Sequence, residues 1–133
     1  MDSERPPDLQ VKGWLKTLGI ESLCQWDMLV FFQGHQMSLL GPAYLASLLG
    51  YEIGPVAAAL DVLESLRLVE RSRVSQGVRM YRFTMAADPQ RRDASERLFA
   101  LANSRAGRVV LSKKLRAGDA TPREGLQAAK ALP

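Results

Sequence analysis

Cysteine and histidine are almost absent from this chain, which holds one of each, Cys24 and His35. A single thiol excludes an intramolecular disulfide and fits a reducing compartment. One Cys and one His cannot supply the nitrogen and sulfur ligands of a zinc site. Long apolar stretches are absent too: no unbroken run exceeds five residues, as in Met28 to Phe32. That is far short of a bilayer, and no membrane span is expected. The opening Met1-Asp2-Ser3-Glu4 is acidic, where a secretory leader carries basic residues and then an apolar core. These absences point to a cytoplasmic chain. Catalytic signatures are missing as well. There is no Gly-rich phosphate loop, and no Ser/His/acid set stands in an identifying context. Asp61 and Glu64, three residues apart, read as a solvated helix face. Neither an enzyme nor a cofactor is expected.

Basic residues are scarce in the first half and acids in the second. Residues 1–66 carry Arg5, Lys12 and Lys16 against eight acids, a net of −5. Residues 67–133 carry fifteen basic groups against six acids, a net of +9. A basic half suits an anionic partner, of which nucleic acid is the commonest, although a solvated basic face has the same composition. Apolar residues make up 47% of the 133, enough for a real core in one domain.

The periodicities divide the chain. Residues 1–7 are polar with a Pro pair and read as a flexible end. Asp8 caps a helix through Leu9, Trp14, Leu15 and Leu18 that Gly19 ends. Ser22 and Gln25 have the capping-box form and open a second helix, apolar on much of its surface, through Trp26 and Phe32. After a short apolar piece, Leu39-Leu40, Gly41-Pro42 starts a third helix that stops at Gly50. Gly54-Pro55 starts a fourth, with Val56, Ala59, Leu60 and Leu63 at helical spacing. Leu68 to Val74 and Val78 to Thr84 alternate and flank Ser75-Gln76-Gly77, a hairpin pattern. A basic helix begins near Gln90 or Arg91. It stops near Gly107 or runs on to Leu115, and the sequence allows both. We divide the chain into a domain over 8–88, a basic C-terminal helix over 89–115 and a mobile tail over 116–133.

The third and fourth helices and the hairpin carry a specific pattern: Leu45-Ala46-Ser47-Leu48-Leu49-Gly50, then Val56, Leu60, Leu63-Glu64 and Leu68-Val69, then Arg71, Arg73 and Arg79-Met80-Tyr81-Arg82-Phe83-Thr84. From about Ser22 to Thr84 this resembles the winged helix-turn-helix transcription regulators of prokaryotes, such as the multiple-antibiotic-resistance and arsenic-resistance repressor families. The resemblance implies a mainly α fold with a small antiparallel β-hairpin and flanking N- and C-terminal helices. It also implies a homodimer and a duplex DNA partner. Carried onto this chain, the DNA-facing positions are Gly54, Pro55, Ala57 and Ala58 on the fourth helix, Arg67 at its end, and Arg71, Arg73, Arg79 and Arg82 in the wing.

The chain departs from that pattern where bases would be read. Base edges are read by hydrogen bonds, and among the exposed positions of the fourth helix only Asp61 has a polar side chain able to make them. Glu52 stands where the family often has a Ser or Thr cap. Between Pro42 and Leu66 there are three acids and no Lys or Arg. Two readings follow: DNA held by the wing and Arg67 with weak or shape-based readout, or a winged helix turned to protein binding.

Smaller signals each have two readings. Cys24 is a redox sensor or inert packing, and His35 is a switch or a helix C-terminal cap. Trp14, Trp26, Met28, Phe31 and Phe32 line an effector pocket, or form core or dimer interface. The run Arg91-Arg92, Arg97, Arg105, Arg108, Lys113, Lys114 and Arg116 tracks phosphates or an acidic partner, or is a solvated face.

Overall fold

The computed structural model describes residues 8–72 and 77–116. The helices are α1 (Asp8–Leu18), α2 (Leu23–Gly34), α3 (Pro42–Leu49), α4 (Ile53–Ser65), α5 (Pro89–Ala102) and α6 (residues 105–116). Strands β1 (Val69–Arg71) and β2 (Tyr81–Phe83) form a two-stranded antiparallel sheet. The chain is therefore mainly helical with a small β-hairpin. Among the described residues no single helix is long and apolar enough to cross a membrane. Arg73, expected in the wing, and the segments 1–7, 74–76 and 117–133 lie outside the described residues.

The described residues form two compact units. Residues 24–93 make one; residues 8–23 and 94–116 make the other.

In the unit of residues 24–93, α2 buries Trp26, Met28, Leu29 and Phe32, positions spread around more than one side of the helix. Gly41 caps α3 in extended conformation and Pro42 occupies its first turn, where the missing N–H costs nothing. α3 packs on α4, and α4 on β1. Leu45 and Ala46 of α3 and Val56, Ala59, Leu60 and Leu63 of α4 are buried, as the helical spacing predicts. α4 starts at Ile53, one residue before Gly54-Pro55, with Glu52 as an extended N-cap. The hairpin register pairs Val69 with Phe83, Glu70 with Arg82 and Arg71 with Tyr81. Bonds from Ser72 N to Met80 O (2.7 Å) and from Thr84 N to Leu68 O (3.0 Å) extend the pairing at both ends. Leu40 bridges Tyr81 with two backbone bonds of 2.8 Å, so the short apolar piece before α3 works as a third strand position. Asp88 caps α5 by accepting from the Arg91 amide at 3.0 Å, and the helix begins at Pro89.

In the other unit, α1 ends on Gly19 (φ +98°), whose amide and that of Ile20 both donate to the Leu15 carbonyl. Val11, Leu15, Leu18, Leu98, Leu111 and Leu115 are buried. The basic helix neither stops at Gly107 nor runs through. It breaks at Asn103-Ser104, and Ser104 Oγ accepts from the Gly107 amide at 2.9 Å to cap α6. The Arg97 guanidinium lies 5.6 Å from the centre of the half-buried Trp14 ring, within cation–π range.

Candidate nucleic-acid interface

The geometry begins at the turn between α3 and α4. Gly50 sits at φ +80°, in the left-handed region, and the amides of Gly50 and Tyr51 both donate to the Ala46 carbonyl at 3.0 Å. The chain turns through 119° between the two helices. Tyr51 locks the turn to α2: its hydroxyl donates to Asp27 Oδ2 at 2.5 Å, the short distance of a bond to a charged acceptor. These residues are 24 apart in sequence, and the sequence alone does not mark them as partners.

This frame exposes the first two turns of α4. Gly54, Pro55, Ala57 and Ala58 face solvent, together with Glu52, Ile53 and Asp61. No side chain caps the helix; Pro55 has no N–H and the Val56 amide donates to the Glu52 carbonyl at 3.4 Å, so the open amides are those of Ile53 and Gly54. The Cys24 thiol lies 3.9 Å from the Pro55 carbonyl, a weak contact that holds the inner side of this turn against α2. The face has no cationic group and no neutral side-chain donor. Ile53 on this face is half exposed, and so, on α3, are Tyr44 and Leu48, one turn apart.

The arginines divide into two groups. Arg82 donates through Nε (2.9 Å) and Nη2 (2.6 Å) to Oε2 of Glu70, its cross-strand neighbour. Arg71 pairs with Glu64 at 3.4 Å, which takes Glu64 out of the open acidic face. Arg67 and Arg79 are exposed and have no ion-pair partner among the described residues. Arg67 has φ +62°, in the region that favours glycine. There the Leu68 amide donates to Leu63 O and the Thr84 hydroxyl to Arg67 O, so a glycine-type helix end is built on an arginine.

A cleft of about 650 Å3 lies at the base of the hairpin. Its charged lining sets Arg67, Arg71 and Arg91 against Glu64, Glu70 and Asp88. Three cations facing three acids make a poor trap for a small anion. Around the hairpin, the exposed arginines with no ion-pair partner among the described residues are Arg67, at the rim of this cleft, and Arg79. Among the described residues no group of His, Cys, Asp and Glu is arranged to hold a metal ion. His35 resolves as a helix-end group: its Nδ1 donates to the Phe31 carbonyl at 2.9 Å, with the ring stacked on Phe31.

Comparison with protein-family models, curated proteins and solved structures finds no match to this chain.

Proposed function

We propose that the chain is a DNA-binding transcription regulator of the winged helix-turn-helix type, holding duplex DNA mainly by its phosphates. The observation that carries this reading is the α3–α4 pair, turned through 119° about a three-residue connection and followed by a hairpin whose second strand is tied to Leu40. Those angles and that order suit a helix-turn-helix with a wing. Arg67 and Arg79 supply outward charge. The two open amides of α4, on Ile53 and Gly54, with Gly54 lacking a Cβ, offer backbone N–H groups to a phosphate oxygen. Base readout is weak on this reading, because the face of α4 has no neutral side-chain donor and Glu52 and Asp61 repel phosphate. Sequence preference then comes from DNA shape.

Anisotropy titration of a random-sequence duplex at two salt concentrations tests it. Binding should weaken steeply with salt, and Arg79→Ala should flatten the salt slope by about 0.9, the share of a single phosphate. A second reading, a protein-docking module, is favoured by the half-exposed Tyr44, Leu48 and Ile53 beside methyl-covered α4. Ala57→Glu/Ala58→Glu separates the two. Both positions are exposed, so the fold should persist. Two added charges against the groove should lower DNA affinity by about tenfold or more, equivalent to ~1.4 kcal/mol. Unchanged affinity in a folded double variant removes α4 from the groove and moves the lead to protein docking.

A further inference from the structure

We propose that α6 is a second phosphate-binding surface, an electrostatic rail for the nucleic-acid backbone that is separate from the hairpin; the assignment rests on the DNA reading above. The basic run of the C-terminal half is not uniform once folded. Arg92 is engaged with the Ala86 carbonyl through Nε at 3.1 Å, Arg97 lies over Trp14, and Lys114 is half-buried and interacts within the chain. Arg91 is half-buried and also interacts within the chain. Arg105, Lys113 and Arg116 remain, exposed on α6, and beside them Arg108 is exposed while donating through Nη1 to the Ala102 carbonyl.

Their spacing places them on one side of the helix. Arg105 and Arg108, and Lys113 and Arg116, are three residues apart, and at 3.6 residues per turn the four fall within about 140° of the helix surface. With Val109 and Ser112 the four cations line a shallow groove of about 430 Å3. From Arg105 to Arg116 the rail is about 16 Å long at ~1.5 Å per residue, a length that spans several phosphates of one strand. There is no acid anywhere in residues 105–116. Arg105, Lys113 and Arg116 have no ion-pair partner among the described residues.

Helix physics does not account for this arrangement. Arg105 and Arg108 stand in the opening turns, where the dipole favours acids. Arg105 with Arg108, and Lys113 with Arg116, are also like-charge neighbours at i, i+3. A polyanion lying along the groove relieves all three repulsions. The opposite side of α6 is already filled, with Leu111 and Leu115 buried, so the helix has no apolar face to insert into a bilayer. A partner here is held by charge, and a phosphodiester backbone has both the charge density and the length.

The test uses the full chain and Arg105→Gln/Lys113→Gln/Arg116→Gln. Arg108 is left in place because its Nη1 donates to the Ala102 carbonyl at 3.1 Å, across the break between α5 and α6. Gln keeps helix propensity, and circular dichroism checks the fold. Titrated with a random-sequence duplex over a salt series, the variant should lose about tenfold or more in affinity at the lowest salt. Its log–log salt slope should flatten by up to ~2.7, at ~0.9 per phosphate contact. The charge-conserving variant Arg105→Lys/Arg116→Lys should keep the wild-type slope. If the wild type binds and the Gln variant binds with the same slope, the rail is overturned while the DNA reading stands. If the wild type fails to bind duplex, the DNA reading falls and the rail with it. If the Gln variant keeps DNA affinity but loses binding to phosphatidylserine vesicles, the surface belongs to a membrane and the proposal is overturned.

Discussion

Arg67 shows how a single residue joins backbone cost to charge. α4 ends on a left-handed residue at Arg67, just as α3 ends on Gly50, but only glycine adopts that conformation without strain. A non-glycine residue in this region carries about 1–2 kcal/mol of strain, while glycine gives back about 0.5–1 through the freedom of the unfolded chain. Arg67→Gly should therefore raise stability by about 0.5–1 kcal/mol, seen as a rise of ~2–4 °C in Tm. The same substitution removes an exposed cation, so DNA affinity should fall as stability rises. Arg67→Lys should leave both nearly unchanged. A variant that loses stability places the helix end under some other constraint, and one that binds duplex as before takes Arg67 out of the interface. Gly50 and Pro42 were legible in the sequence because their roles are local. Nothing local marks an arginine as left-handed, or Tyr51 as the partner of Asp27. Those features depend on tertiary packing that carries the chain back on itself.

At the scale of the elements, the helices were legible wherever apolar spacing and punctuation agreed, as in α3 and α4. The hairpin was legible in its alternation, although its named strands are shorter than the alternation implies; the turn residues Ser75 and Gln76 lie outside the described residues. The basic C-terminal segment was not, because Gly107 reads as a stop. Ser104 is the break instead, and Gly107 stands as the third residue of the helix that follows. Its glycine identity answers to crowding: a Cβ there would sit 1.8 Å from the Leu101 carbonyl oxygen and 2.7 Å from its carbon, so backbone must move. Gly13, inside α1, has nothing within 4 Å of the same atom. The two glycines should respond with opposite sign. Gly13→Ala gains helix propensity and should stabilise by about 0.8–1 kcal/mol. Gly107→Ala gains the same propensity but incurs about 1–3 kcal/mol of overpacking, more where backbone blocks the new methyl, and should destabilise. Thermal denaturation of the pair checks this. If Gly107→Ala were as stable as the parent, the close approach of α6 to the end of α5 would be wrong. The candidate site was half legible on the same grounds. Exposure of Gly54, Pro55, Ala57 and Ala58 follows from helical period alone. The capture of Arg82 by Glu70 and of Arg71 by Glu64 follows from strand register and helix–strand packing, which composition does not encode.

For the whole molecule, the open question is whether a second copy is needed. The resemblance implies a homodimer through the flanking helices, whose apolar positions in α1 and α5 would otherwise be left in water. In the folded chain these positions are already covered: Leu15 and Leu18 of α1 and Leu98 of α5 are buried within one copy, and Leu101 and Ala102 are partly so. Among the described residues, large apolar side chains remain exposed elsewhere, at Met37, Leu39, Tyr44, Leu48, Ile53, Val78, Met85 and Val109. None of these lies on α1 or α5, the helices through which the dimer would form. We therefore expect the full chain to sediment as a monomer at high micromolar concentration. A monomer also fits the proposed mode of binding. Dimeric helix-turn-helix proteins gain sequence preference by reading two half-sites a fixed distance apart. A chain that binds singly, through phosphates and with a recognition face lacking neutral donors, has neither source of specificity. What preference it has comes from DNA shape, so on random duplex, where shapes average out, bound protein should rise in proportion to length. A stable dimer in sedimentation would reverse this, and Leu48→Glu would then show whether the α3 face holds it together: dissociation places the contact on that face, while an intact dimer returns it to the flanking helices.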